Sequence, residues 1–396
     1  MTYTTSKSVL IDERDFFIKS NSYDSTTTHS NEIKITASDG AVDDEFGFSV
    51  AVGSGRIVVG SAYDDNANGT DSGAAYVFDF LGNQLLKLIP GDVPPSGLFG
   101  YSVAIGSDRI AVTQVGEGAL YIFDLFGSLI KKTTASDLVT GQLFGWCVSI
   151  GSGKIVVGSP QDTTNGTDAG AAYIFDLDGN QLAKITASDG AADDRFGISV
   201  GAGSGRIVVG AWENDDNGSA SGSAYIFDLD GNEITKIVAS DAAADDKFGV
   251  SVAAGSGRIV VGAYLNDDAG SASGSAYILD LDGNEITKIV ASDAVGGDAF
   301  GYSVAVGSGR IVVGAFGVDD NDSLSGAAYV FDLNGNQLSK ILASDGAADD
   351  LFGWAVATES GKIVVGSYRS TGVAGVTGAA YIYTTPNQKH FLDQLD

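Results

Sequence analysis

A single cysteine, Cys147, excludes any intramolecular disulfide. Two histidines, His29 and His390, lie near the chain ends and leave the long middle without an imidazole for acid–base work. Only five prolines interrupt 396 residues. Basic residues are scarce, 22 Lys and Arg against 51 Asp and Glu, a net charge of −29. So acidic a surface repels nucleic acid and anionic membranes, and neither is expected as a partner. No apolar run approaches the ~20 residues of a membrane-spanning helix. Near the start, Val9–Leu10–Ile11 is too short for the core of a signal peptide, so none is expected. What is abundant is glycine, 55 residues, and apolar side chains at 44%, which suit a large core with many tight turns.

The dipeptide Phe-Gly recurs at Phe46, Phe99, Phe144, Phe196, Phe248, Phe300 and Phe352, at spacings of 53, 45, 52, 52, 52 and 52. Seven copies at this period mark a repeat architecture. The fourth copy reads as four strands. FGISVGAG (196–203) alternates large and small residues. GRIVVGA (205–211) is β-branched, GSAYIFD (222–228) follows, and Asp230-Gly231 signals a hairpin into EITKIVA (233–239). No helical period is present in the repeats.

The fold predicted is all-β, a seven-bladed β-propeller with four antiparallel strands per blade. A β-solenoid or a pair of sandwiches does not call for four hairpin-linked strands per period. Phe46, Val50 and Val52 share one face of the first strand, and Gly47, Ser49 and Ala51 the other. Each blade thus offers a bulky face to one neighbour and a small-residue face to the next. EIKITASD (32–39) matches the fourth strand of other copies, so residues 32–37 are expected to close the last blade as its outer strand. The domain reading is an N-terminal arm, 1–31, the propeller, 32–383, and a C-terminal tail, 384–396. Both tails are predicted on one face, beside blade 7. Their apolar residues, Phe16, Phe17 and Phe391 among them, are candidates for packing on blade 7, on a partner structural protein or on a second copy.

The phrases SDGAADDRFGISV, RIVVGA and NGTDSGAAYVFD resemble bacterial FG-GAP repeats, relatives of the integrin α-subunit propeller. The resemblance spans about residues 32–383 and implies extracellular recognition or adhesion, often with calcium. In that family the calcium loop joins the first and second strands. Here this link is GSGR, GSDR or GSGK, without carboxylates. Fold alone does not carry function.

Aspartates crowd two loops per blade. One precedes Phe-Gly, as in Asp43–Asp44 and Asp193–Asp194, and the other joins the second and third strands. Both fall on one face, an acidic arc over blades 3 to 6. Calcium candidates there are Asp64, Asn66, Asn68, Asp215, Asp216, Asp267 and Asp268. The opening Asp64-x-Asn66-x-Asn68-Gly69 matches an EF-hand loop, but Ala75 stands where a bidentate Glu is required. Turn-forming Asp, Asn and Gly account for the pattern equally, so no metal or other cofactor is assigned. On the other face, Arg or Lys begins each second strand and Asp ends six third strands, as Arg56 and Asp79. Cross-strand ion pairs are expected, serving register more than a ligand.

No catalytic residue is assigned. Cys147 fills a slot held by serine in other copies and reads as a small buried residue. Phe48, Tyr101, Trp146, Tyr302 and Trp354 follow Phe-Gly on the inner strand and should pack between blades. Tyr63, Trp212, Tyr264, Phe316, Tyr368 and Arg369 follow second strands and are the candidate ligand contacts. The expected function is non-enzymatic recognition on a particle surface, as a phage fibre or decoration protein in attachment. Alternatives are a bacterial surface or secreted adhesin for glycan or protein, and a carboxylate-based glycan hydrolase.

Overall fold

The computed structural model describes residues 31–372 and 375–385. Seven four-stranded antiparallel sheets follow one another around a ring. Blade 1 runs outward through Ser49–Gly53, Arg56–Ser61, Ala74–Phe78 and Gln84–Leu88. Blade 7 has Ala355–Glu359, Lys362–Ser367 and Ala379–Thr384, and Ile33–Ile35 as its outer strand. The predicted seven-bladed propeller, closed by the N-terminal strand, is the observed fold.

Local chemistry explains the hairpins. Between third and fourth strands, Asp79 Oδ1 accepts the N–H groups of Leu81 and Asn83, both at 2.9 Å, and Oδ2 accepts the Asn83 amide at 2.8 Å. Such an Asx turn mimics a backbone turn, with Gly82 at φ +83° completing it. Each of the six hairpins of this kind carries a register shift, between Val77 and Phe78 in blade 1. The outer pair of blade 7 has none, because its fourth strand arrives from the distant N-terminal segment rather than through a turn.

Phe-Gly was expected to begin the first strand. In six blades the strand starts later, at Ser49 in blade 1, and only in blade 2 does it span Phe99–Gly106. The reason is backbone conformation. Gly47 has φ +96° and Glu45 +54°, so the chain turns there instead of extending. The turn drops Phe46, fully buried, edge-on against Tyr76 (5.4 Å) and Phe78 (5.9 Å). Its glycine allows the close approach: a Cβ on Gly47 would stand 2.2 Å from Ala379 O of the preceding blade.

The core is a set of seven apolar clusters, one per seam between blades. At the first seam, Ala51, Val58 and Ala75 of blade 1 meet Phe99, Val103, Tyr121 and Phe123 of blade 2. The expected meeting of a small face with a bulky one therefore holds. Closure uses the same contact, with Phe46, Tyr76 and Phe78 packing on Val364, Ala380 and Ile382 of blade 7. Glu32 fastens the closing strand: Ser344 Oγ donates to it at 2.6 Å and Tyr383 OH at 2.9 Å. Ile33 pairs with Ile382 and Thr384 with Lys362. Both described chain ends thus leave where second strands begin, opposite the aspartate-rich loops. The tails themselves, with Phe16, Phe17, Phe391, His29 and His390, lie outside the described residues. Among the described residues no helix is long and apolar enough to cross a membrane.

Candidate functional site on the loop face

On the aspartate-rich face, aromatic side chains gather at the inner strands around the ring axis. Tyr264, Tyr302, Phe316, Trp354, Tyr368, Phe48, Tyr101 and Trp146 form one chain of ring contacts, running from blade 5 through blades 6, 7, 1 and 2 to blade 3. Neighbouring centroids lie 4.6–5.6 Å apart. The chain breaks where blades 4 and 5 carry Ile198 and Val250 in the inner slot. The inner-strand aromatics were expected to pack between blades, and they do so. Burial raises the Tyr101 and Tyr302 hydroxyls far above the usual phenol range.

The structure brings Tyr264, Phe316 and Tyr368 into this cluster. Trp212 stands apart under the Lys247 ammonium, 5.6 Å from its ring. Tyr63 is off the chain, beside Glu45, whose charge helps raise its hydroxyl after burial. Arg369 is exposed and acts on Glu45 across the closing seam. Lys247 and Glu213 occupy the corresponding positions between blades 4 and 5, with the charges exchanged and 2.6 Å apart. Glu45 is half-buried. Desolvation raises its carboxyl to about 7, Arg369 opposes the rise, and Asp43 and Asp71 add to it.

The acidic arc is less open than the sequence suggests. The second aspartate before Phe-Gly is buried in each blade that has one, such as Asp194, whose Oδ2 accepts the Ala191 N–H at 2.9 Å. Burial raises the pKa of this carboxyl. The other loop feeds a clamp that sequence reading missed. In blade 3, Lys184 Nζ lies 2.6 Å from Asp137 and 2.9 Å from Asp162, over the Tyr173 ring, and Tyr173 OH donates to both carboxylates at 3.0 Å. Blade 1 repeats it with Lys87, Asp39, Asp64 and Tyr76, and every blade has a version. The signal was the unvarying Tyr of AAYVF, Lys of the fourth strand and Asp of the Ser-Asp link. These residues lie in separate segments, so no local motif joined them.

The calcium candidates are engaged by donors of the chain itself. Asp64 Oδ2 is held by Tyr76 and Lys87. The Asn66 amide donates to Asp64 Oδ1 at 3.0 Å, and Asn68 donates to Pro90 O. Asp215 and Asp267 accept backbone N–H groups, while Asp216 and Asp268 pair with Lys236 and Lys288. Among the described residues no group of three or more His, Cys, Asp or Glu is placed to hold a metal ion.

The expected Arg–Asp cross-strand pairs are corrected. Register does set Ile57 opposite Phe78, as anticipated. However, Asp79 and its equivalents are consumed by their own Asx turns, and Arg109, Arg206 and Arg258 reach the next blade. Arg206 Nε donates to Leu281 O at 2.9 Å, and its Nη2 lies 3.4 Å from Asp282. Cys147, expected as a small buried residue, makes the contact that serine makes in this slot of other blades, with Sγ 3.3 Å from Gly197 O, and burial pushes its thiol up to about 12.

None of the curated protein sequences compared with the chain matches it. Among solved structures, the crystal structure of the computationally designed Ika8 protein is similar, with TM-score 0.50 and 11% identity over 88% of this chain and 98% of that one. At that identity the likeness speaks to the fold alone. The FG-GAP repeat matches residues 29–78, 128–175, 180–227, 232–279, 284–331 and 336–383. The unmatched stretch, 79–127, covers the irregular second blade, where Thr113 and Gln114 replace the Gly-Ser or Gly-Ala that ends other second strands. With six repeats over well over half its length, the chain belongs to the FG-GAP repeat family.

Proposed function

We propose that the protein is a non-enzymatic recognition module carried on a surface, with the loop face toward its ligand and the chain ends fixed to the carrier. One observation supports this most. The aromatic cluster, rimmed by Glu45, Arg369, Glu213 and Lys247, occupies one face, and both described chain ends leave from the other. Half-buried aromatics beside charged groups suit binding of a polar ligand with apolar faces, as a glycan or protein surface offers. The carrier proposed is a phage particle, with this chain as a fibre or decoration protein. A bacterial surface adhesin would use the same two faces.

Two measurements test this reading. Labelled protein should bind host cells or immobilised host glycan, and Trp212→Ala with Tyr264→Ala should abolish that binding in a chain that still folds, as its circular dichroism reports. Removing 1–31 and 384–396 should release the protein from particles while the propeller stays folded. Retention of the truncated chain on particles would refute the anchoring. A hydrolase reading rests on Glu45, a half-buried carboxyl near neutral pKa with Asp43 and Asp71 nearby. Release of soluble sugar from host polysaccharide, lost in Glu45→Gln, would replace the binding proposal with that one.

A further inference from the structure

On the face opposite the aspartate-rich loops the axis holds a cup of about 580 Å3, a volume typical of small-molecule sites. Inner strands of all seven blades line it. Each contributes a valine on the side toward the loop face, from Val50 in blade 1 to Val356 in blade 7, and most contribute a serine at the mouth. The inner edges have no further strand to pair with. Some of their N–H groups find serine instead: Val148 N donates to Ser102 Oγ and Ala202 N to Ser149 Oγ, both at 3.1 Å.

One blade breaks the symmetry of this wall. Six blades have glycine just before the inner turn, such as Gly53 and Gly307, and the seventh has Glu359. Its Oε2 leans across the seam, 2.7 Å from where a Cβ on Gly307 would stand. Among the described residues of the lining, Glu359 alone is charged. The basic residue opposite Glu359 in register, Lys362, turns to Thr384, its Nζ donating to Thr384 Oγ1 at 2.7 Å, and Arg109, Arg206 and Arg258 donate through Nε to carbonyls of the next blade's outer turn.

The hydroxyls are polarised around the mouth as well. Ser152, Ser204, Ser256 and Ser308 each accept an N–H from the following blade, at 3.0–3.2 Å. Among the described residues, Ser360, Ser54 and Ser107, on the three blades beginning with that of Glu359, accept no such bond. A carboxylate and three hydroxyls with free acceptor capacity therefore occupy one sector. Across the axis, Gly201, Ala202, Ala253 and Ala254 leave the wall shallow.

We infer that the cup binds a small primary monoamine, with its ammonium at the mouth and its aliphatic body against the valines. An ammonium has three donors and no acceptor. Glu359 with Ser360 and Ser54 offers matching acceptors, one of them ionised. The surplus of negative charge on the chain favours entry of a cation. A diamine would bury its second ammonium among valines without a partner, at a large desolvation cost.

Calorimetry with n-hexylammonium on the full chain tests this. Saturable one-to-one binding is expected, with Glu359→Gln weakening it about tenfold or more. 1-Hexanol should not bind, and hexane-1,6-diamine should bind more weakly than the monoamine. Because Glu359 is exposed, the variant should melt as the parent does, so a lost signal reports binding and not folding. No saturable binding at millimolar amine, equal affinity in Glu359→Gln, or hexanol binding as tightly as the amine would each overturn the assignment.

Discussion

Lys34 and Asp345 stand 311 positions apart in the chain, and Lys34 Nζ lies 2.7 Å from Asp345 Oδ2. Lys34 belongs to the closing strand, and Asp345 to the link between blades 6 and 7. Tyr381 OH donates to the same carboxylate at 2.8 Å. The clamp found inside every blade is here also the fastening of the ring.

The clamps should differ in strength with burial. Asp345 is about half exposed, so Lys34→Met should cost about 1 kcal/mol or less. Asp162 is fully buried, and Lys184→Met would strand its charge in the core. A loss of about 3 kcal/mol is expected there. Chemical denaturation of both variants checks the ordering. Equal losses would show that burial of the carboxylate does not set the strength.

Glycine substitutions should divide by location. A Cβ on Gly210 would stand 1.9 Å from Gly249 O of the next blade, with backbone that cannot move alone. Gly210→Ala should therefore cost several kcal/mol or prevent folding. Gly205, in the exposed inner turn, has open space around it but φ +77°. Gly205→Ala should cost only about 1 kcal/mol, the strain of the left-handed conformation. Thermal melts of the two variants decide this.

Glu45 should make stability fall between mild acid and neutrality. Its carboxyl is raised from 4.5 to about 7 in the fold. Between those values the unfolded chain is ionised and the folded one still protonated. Raising the pH through this window therefore favours unfolding, and above about 7 the penalty is constant. Glu45→Gln should remove this fall and stabilise the protein at pH 8 relative to the parent. The gain is on the order of 1 kcal/mol after allowance for solvent at a half-exposed group. Melting curves from pH 4 to 8 on both proteins should converge at the acid end. A parallel offset at every pH would disprove the linkage.

Cys147 should be inert while the protein is folded. Its thiol, pushed up to about 12 and turned to Gly197 O, holds almost no thiolate at neutral pH. Disulfide-exchange reagents should label it only at the unfolding rate. Cys147→Ser should be tolerated to within about 1 kcal/mol, because Ser199 Oγ already makes the same contact, to Gly249 O at 2.8 Å. Fast labelling of the native chain would refute this.

Seven Phe-Gly phrases, the alternation around Val50 and Val52, and the stray outer-strand phrase before the first copy are periodic features. Periodicity is set by the pleat and by the need for identical seams, so the sequence alone determined the blade count, the strand order and the closure at Ile33–Ile35. Tertiary structure alone decided which charges meet. Asp79 faced Arg56 in register yet turned to its own hairpin, because Leu81 and Asn83 offered three nearby donors at little cost in chain entropy. Glu45 reaches Arg369, and Lys34 reaches Asp345, because ring closure brings distant segments together. Glu359 reads as one more surface acid until seven inner strands converge on the axis and leave it, among the described residues, as the one charge on the wall of the cup.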